Sequence, residues 1–135
     1  MTEGGYFIAA AVLAALIVTI SQLLQPRPLE AKRHKAVVDY VIDGDTIILK
    51  DTGTRLRLWG INAAEKGEST FYEAKAALEK LVLNRTITYT DEGHDNHGRT
   101  VARVFVRGRE VQKLMLKAEL VTEVCRYSRG LYGQC

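Results

Sequence analysis

Residues Tyr6–Leu24 (YFIAAAVLAALIVTISQLL) carry no charge, and nineteen such residues in a row do not belong to the core of a small domain. As a helix they would extend about 28 Å, close to the thickness of a hydrocarbon core of about 30 Å. A cleaved signal peptide would show a basic start, a shorter apolar run and a small-residue cleavage site. No Lys or Arg precedes Tyr6, and QPRPLEAKRHK offers no such site, so the run reads as an uncleaved transmembrane helix. Arg27, Lys32, Arg33 and Lys35 follow it. The positive-inside rule then places the N-terminus outside and the rest on the cytoplasmic side of an inner membrane, with the periplasmic or extracellular side as the alternative. In a reducing cytoplasm Cys125 and Cys135 would be free thiols.

What remains is about a hundred residues, enough for one core and no more. From Ala36 onward 15 Lys and Arg face 14 Asp and Glu, so this part is nearly neutral. That excludes a domain gripping nucleic acid by bulk charge, although a few placed arginines would still suffice. The expected organisation is a tail at 1–5, the transmembrane helix at 6–24, a basic linker at 25–35, a globular domain at 36–127 and a C-terminal tail at 128–135.

Within the domain, β-branched and aromatic runs predict strands at Ala36–Ile42, Thr46–Lys50 and Thr54–Ile61. In the third, Leu56 and Leu58 alternate with Arg55, Arg57 and Trp59. A 3.6-residue period predicts a helix over Thr70–Leu83, two further strands follow at Arg85–Thr90 and Arg99–Val106, and a helix follows at Glu110–Leu120 with Val111, Leu114, Met115 and Ala118 inward. Asp91–Gly98 reads as a polar loop. The order βββαββα suggests an α+β, mainly β protein built on a small closed barrel plugged by a helix.

Candidate chemistry stands at the strand ends: Asp43 and Asp45 in DGDT, Arg57, Glu65 and Arg99. Paired carboxylates can hold a hard cation. Two arginines can clamp a phosphate, and a carboxylate can take a proton from water. Together these are the parts of phosphodiester hydrolysis. His94 and His97 flank Asp95 but lack the partner ligands of a metal motif.

The ordered set V-I-D-G-D-T, R-L-R-L-W-G-I-N-A-A-E and D-N-H-G-R-T-V-A resembles the staphylococcal nuclease-like (thermonuclease) domains over about Ala36–Tyr127. The resemblance implies a five-stranded OB-fold barrel and a Ca²⁺-dependent endonuclease acting on DNA and RNA. It implies Asp45 as the main metal carboxylate with Asp43 beside it, and Arg57 and Arg99 as the phosphate pair. Glu65 would be the general base, and His97 and Tyr127 would lie in the base pocket. The second metal carboxylate falls on Asn62, with Ala63 offering a backbone carbonyl, and Ala64 stands where the family has a turn-fixing proline. Removing one formal charge weakens Ca²⁺ binding. The family's C-terminal helix has no counterpart in RYSRGLYGQC. These departures favour a weakened or inactive nuclease domain acting as an accessory subunit among other membrane proteins. The alternative is an active membrane-anchored nuclease that binds nucleic acid.

Overall fold

The computed structural model describes residues 4–23 and 30–135, and within the first helix the side chains of Ile8–Gln22. Two units result, Met1–Glu30 and Ala31–Cys135. In the first, α1 (Gly4–Leu23) exposes every described side chain. Those described side chains cover about 22 Å of helix. Among the described residues no helix is long and apolar enough to cross a membrane. Most of the basic linker, 24–29, lies outside the described residues.

The second unit is a five-stranded barrel. Its strands are β1 (Arg33–Asp43), β2 (Thr46–Leu49), β3 (Arg55–Leu58), β5 (Thr86–His94) and β6 (Thr100–Val106). Antiparallel pairing runs β3-β2-β1-β5-β6, and a parallel β3–β6 pairing closes the ring. The closed barrel expected from the strand order is therefore present, and it is consistent with the OB-type topology that the resemblance implies. Period-2 alternation drives it: Leu56 and Leu58 are fully buried beside Ile47, Val41, Ile87, Ala102 and Val104, while Arg55 is exposed.

The third predicted strand ends early. Gly60 takes a positive φ of 73°, and the chain turns into a short β4 (Ile61–Ala63). A Cβ at Gly60 would lie 3.2 Å from Tyr132 and 3.3 Å from Ser128, so the turn also admits the C-terminal segment. β4 pairs with β8 (Val121–Glu123), a strand absent from the sequence reading. Between β6 and β8 lie a two-residue β7 (Arg109–Glu110) and α3.

β5, the fourth strand predicted from the sequence, is longer than propensity predicts. It runs through Asp91–Gly93 by way of a bulge and stays paired with β6. Tertiary pairing overrides the polar composition there.

The helices α2 (Phe71–Val82) and α3 (Val111–Lys117) cover the barrel. α2 buries Ala74, Leu78 and Val82, one stripe at i, i+4, i+8. α3 buries Val111, Gln112, Met115 and Leu116, whereas Ala118 is exposed and Leu114 half-buried. The inward face is thus rotated from the expected one because Gln112 is tied to the barrel. Its Oε1 accepts from Val104 N at 3.2 Å, and its Nε2 donates to Ala102 O at 2.9 Å and Trp59 O at 3.5 Å. A buried amide with its partners in place fits as well as an apolar side chain would.

The C-terminal residues pack against the domain. Glu123 accepts hydrogen bonds from Ser128 Oγ, Tyr132 N and Gln134 N. A short α4 (Cys125–Ser128) follows β8, and Cys125 is joined to Cys135 by a disulfide. This corrects the expectation of free thiols. The Glu123 hydrogen bonds fold the chain back over ten residues, and the two Cα atoms meet at 5.7 Å, within disulfide reach.

Candidate functional site

The DGDT turn is fixed first by space. Gly44 is buried, and a Cβ there would lie 2.7 Å from both Ala63 and Ala74. Only a glycine lets the turn approach β4 and α2 this closely. The turn carries Asp45 inward, 5% exposed. Its Oδ1 accepts from Thr46 Oγ1 at 2.9 Å, and its Oδ2 accepts from Ala63 N at 2.7 Å. Asp43 does not enter this cluster directly: its Oδ1 accepts from Asp45 N at 3.0 Å.

β2 and β3 pair Thr46 with Arg57, and this register brings the guanidinium to the carboxylate. Arg57 Nη2 lies 3.1 Å from Asp45 Oδ2 and donates to Asn62 Oδ1 at 3.0 Å. Arg57 Nη1 donates to Leu58 O at 2.7 Å and Ile61 O at 2.8 Å. Each terminal nitrogen of the fork carries two hydrogens; three of the four are donated within the chain, and the ion pair with Asp45 holds the same fork. Burial pushes Asp45 upward, Arg57 pulls it down, and Asp43 adds to the rise; the carboxyl comes to about 6. One guanidinium shared with Asn62 and two carbonyls does not offset the loss of water.

Arg99 enters from β6's start. Its Nε donates to Asp95 Oδ2 at 2.6 Å, and its Nη1 reaches Thr46 Oγ1 at 3.5 Å. Slight burial raises Asp95, but the N–H groups of Arg99 and His97 outweigh it and hold that carboxyl below its ordinary range. Thr46 thus connects Arg99 to Asp45. Arg57 and Arg99 line one cleft of about 500 Å³ with Trp59, His97, Val101 and Tyr127. Tyr127 is 53% exposed and lies in α4, with Arg126 over its ring.

Glu65 is exposed after β4, and its backbone N–H donates to Glu68 Oε2 at 2.6 Å. Among the described residues no hydrogen bond or ion pair joins the Glu65 carboxylate to Asp45, Arg57 or Arg99. Ala63 contributes its N–H to Asp45.

Sequence reasoning missed Thr46, Asp95, Trp59 and Val101. The first two had a signal: a hydroxyl next to DGD and a carboxylate four residues before Arg99. Trp59 and Val101 had none, because only barrel closure places them in the cleft.

The resemblance implies a calcium ion, and this donor set does not fit one. Calcium takes six to eight oxygens, several of them from carboxylates. Here Asp45 already holds Thr46, Ala63 and Arg57, and Asn62 is neutral and bound to the same guanidinium. Among the described residues no three His, Cys, Asp or Glu side chains converge as a metal site.

Residues 55–131 match the family model described as staphylococcal nuclease homologue. Protein ParB of Escherichia coli is 35% identical over 93% of this chain and 70% of its own length. The micrococcal nuclease of Shigella flexneri is 30% identical over 70% of this chain and 58% of its own. An uncharacterized endonuclease of Escherichia coli is 33% identical over 58% of this chain and 53% of its own. The chain therefore spans little more than half the length of these last two relatives.

Proposed function

This chain belongs to the staphylococcal nuclease family, and from that premise we propose that it is a polynucleotide-binding domain whose hydrolytic centre is weakened, serving as an accessory subunit of a membrane assembly. The observation that carries the reading is the closed state of Arg57. Its Nη groups donate to Leu58 O, Ile61 O and Asn62 Oδ1 and form an ion pair with Asp45 Oδ2, so an arriving phosphate competes with the chain itself. Among the described residues no partner meets Arg99 Nη2, which lies in the same cleft and is the better phosphate contact. Trp59, His97 and Tyr127 line the cleft, and stacking of bases on such rings is a sequence-tolerant contact. Glu65 stands apart from the arginines, which leaves an attacking water without a positioned base.

The apolar run 6–24 is proposed as the tether, supported by its lack of charge and by the exposure of α1's described side chains. The side of the membrane rests on two opposed arguments. The basic residues after the run favour the cytoplasm, whereas a Cys125–Cys135 disulfide persists in an oxidising compartment. Basic residues bias orientation, but a cytosol actively reduces thiols. The proposal is therefore the periplasmic or extracellular side. An impermeant maleimide labelling Cys125 and Cys135 in intact cells only after an impermeant reductant would support it. Thiols already reduced in the isolated protein would refute it.

A second reading, a Ca²⁺-dependent endonuclease, is favoured by the convergence of Arg57 and Arg99 in one cleft. One assay separates the two: incubation of the purified chain with single-stranded DNA and millimolar Ca²⁺. The first reading expects binding with little cleavage. Robust Ca²⁺-dependent cleavage abolished by Arg57→Ala would replace it with the second.

A further inference from the structure

The cleft opens onto a basic sheet face that the reading above does not use. Along β6, Ala102, Val104 and Val106 point into the core. Val101, Arg103 and Phe105 therefore share the outer face at i, i+2, i+4. Val101 lines the cleft and pairs with Arg57, so the same row that begins beside the phosphate arginine continues outward along the strand. The register extends it sideways. Arg103 is opposite Thr90, and Thr90 is opposite Arg33. Phe105 is opposite Thr88, and Thr88 is opposite Lys35. Val101 to Phe105 covers about 13 Å.

Side-chain contacts link Arg33, Arg103 and Phe105. The Arg33 guanidinium carbon lies 4.2 Å from the Phe105 ring centroid, and that of Arg103 lies 5.7 Å from it. Phe105 is only 9% exposed although it faces outward, because the two arginines cover it. Arg103 is neutralised by Glu110 at 2.9 Å. Arg33 and Lys35 are exposed, and among the described residues no carboxylate is in salt-bridge reach of either. Glu92 is the opposing charge beside this face, held by Thr90 Oγ1 at 2.8 Å. The ring holds Arg33 in place by a cation–π contact, so ordering it for a ligand costs little further entropy.

Resting on the polynucleotide-binding reading, we infer that this outer face of β1, β5 and β6 is a second contact site for the same single strand as it leaves the cleft. Arg33 and Lys35 meet its phosphates, and Thr88 lies between Lys35 and Phe105 in the register. A polyanion fits because the face offers unpaired cations in a line continuous with the cleft. A neutral domain can use such a line where it lacks bulk positive charge.

The test is fluorescence anisotropy of the full chain in EDTA, using a labelled trinucleotide and a labelled single-stranded 12-mer. The double variant R33Q/K35Q removes both cations, including the guanidinium over Phe105, and its melting curve checks folding; K35E, which leaves the Arg33–Phe105 contact in place, serves as a second variant. Expected is about a tenfold loss of 12-mer affinity with the trinucleotide unchanged, and a salt slope shallower by about 1.4, two single-strand phosphate contacts' worth. Unchanged 12-mer affinity in both variants, with Arg99→Ala still weakening both ligands, overturns this site and leaves the cleft reading intact. Loss of binding to monomeric short-chain phosphatidylglycerol with 12-mer affinity unchanged assigns the face to lipid and also overturns it. If wild type binds neither oligonucleotide, the cleft reading falls and takes this site with it.

Discussion

Two buried carboxylates in this domain each face an arginine, and they differ in how completely they are compensated. Glu110, 7% exposed, accepts from Arg103 Nε and Nη2 at 2.9 Å each and from Tyr132 Oη at 2.6 Å, with Lys113 Nζ at 3.9 Å. Burial raises its carboxyl, but these partners outweigh burial and hold it below the ordinary range; burial and then the Glu110 carboxylate push Tyr132 well above its own. Asp45 is equally buried, shares one guanidinium nitrogen with Asn62, has Asp43 nearby, and is left at about 6. A fully satisfied ionic cluster serves as scaffold, and a partly satisfied one is poised to exchange partners. The Glu110 cluster joins β6, β7 and the C-terminal segment; the Asp45 cluster lies at the cleft.

The contrast can be broken most forcefully at the scaffold. Arg103→Ala strands Glu110 in a buried position and is expected to cost roughly 3 kcal/mol in urea unfolding. A loss below about 1 kcal/mol would mean that the fork is not structural. Replacing both cysteines, C125S/C135S, is expected to cost about 2 kcal/mol, since the closed loop is short. Thermal melts with and without reductant check this, and the wild type should shift with reductant while the variant does not.

The pH responses should run in opposite directions. Glu110 is depressed, so its contribution is present above its unfolded pKa of about 4.5 and is lost as pH falls through the folded value. Wild type should therefore lose stability relative to Glu110→Gln on acidification below about pH 4.5. Asp45 is raised, so its favourable contribution is present below 3.8 and lost as pH rises through about 6. Wild type should gain stability relative to Asp45→Asn as pH falls from 7 to 4. Parallel melts of the two pairs would collapse the distinction between scaffold and site.

The smallest effect sharpens the site itself. Asn62→Asp restores a second carboxylate beside Asp45 and should raise Ca²⁺ affinity severalfold by calorimetry. No change would mean that Arg57, rather than the missing charge, excludes the ion.

Much of the barrel was legible because alternation is local: Leu56 and Leu58 inward with Arg55 outward needs no tertiary knowledge. The α2 stripe was legible for the same reason. The α3 face was not, since Gln112 counts as polar until the backbone groups of Val104 and Ala102 are known to meet it. At the site, the residue types were readable, but the commitment of Arg57 was not. A spacing of DGDT and RLRLWGIN names the groups and says nothing of which hydrogen goes to which oxygen.

The sequence by itself determined the apolar run, the order of the five barrel strands and the identity of the charged residues, because these depend on composition and on side-chain period along the chain. The tertiary structure alone decided that Cys125 meets Cys135, that β5 continues through polar residues, and that Asp45 and Glu110 have opposite ionisation tendencies. Those outcomes depend on burial and on hydrogen bonds between residues distant in the chain.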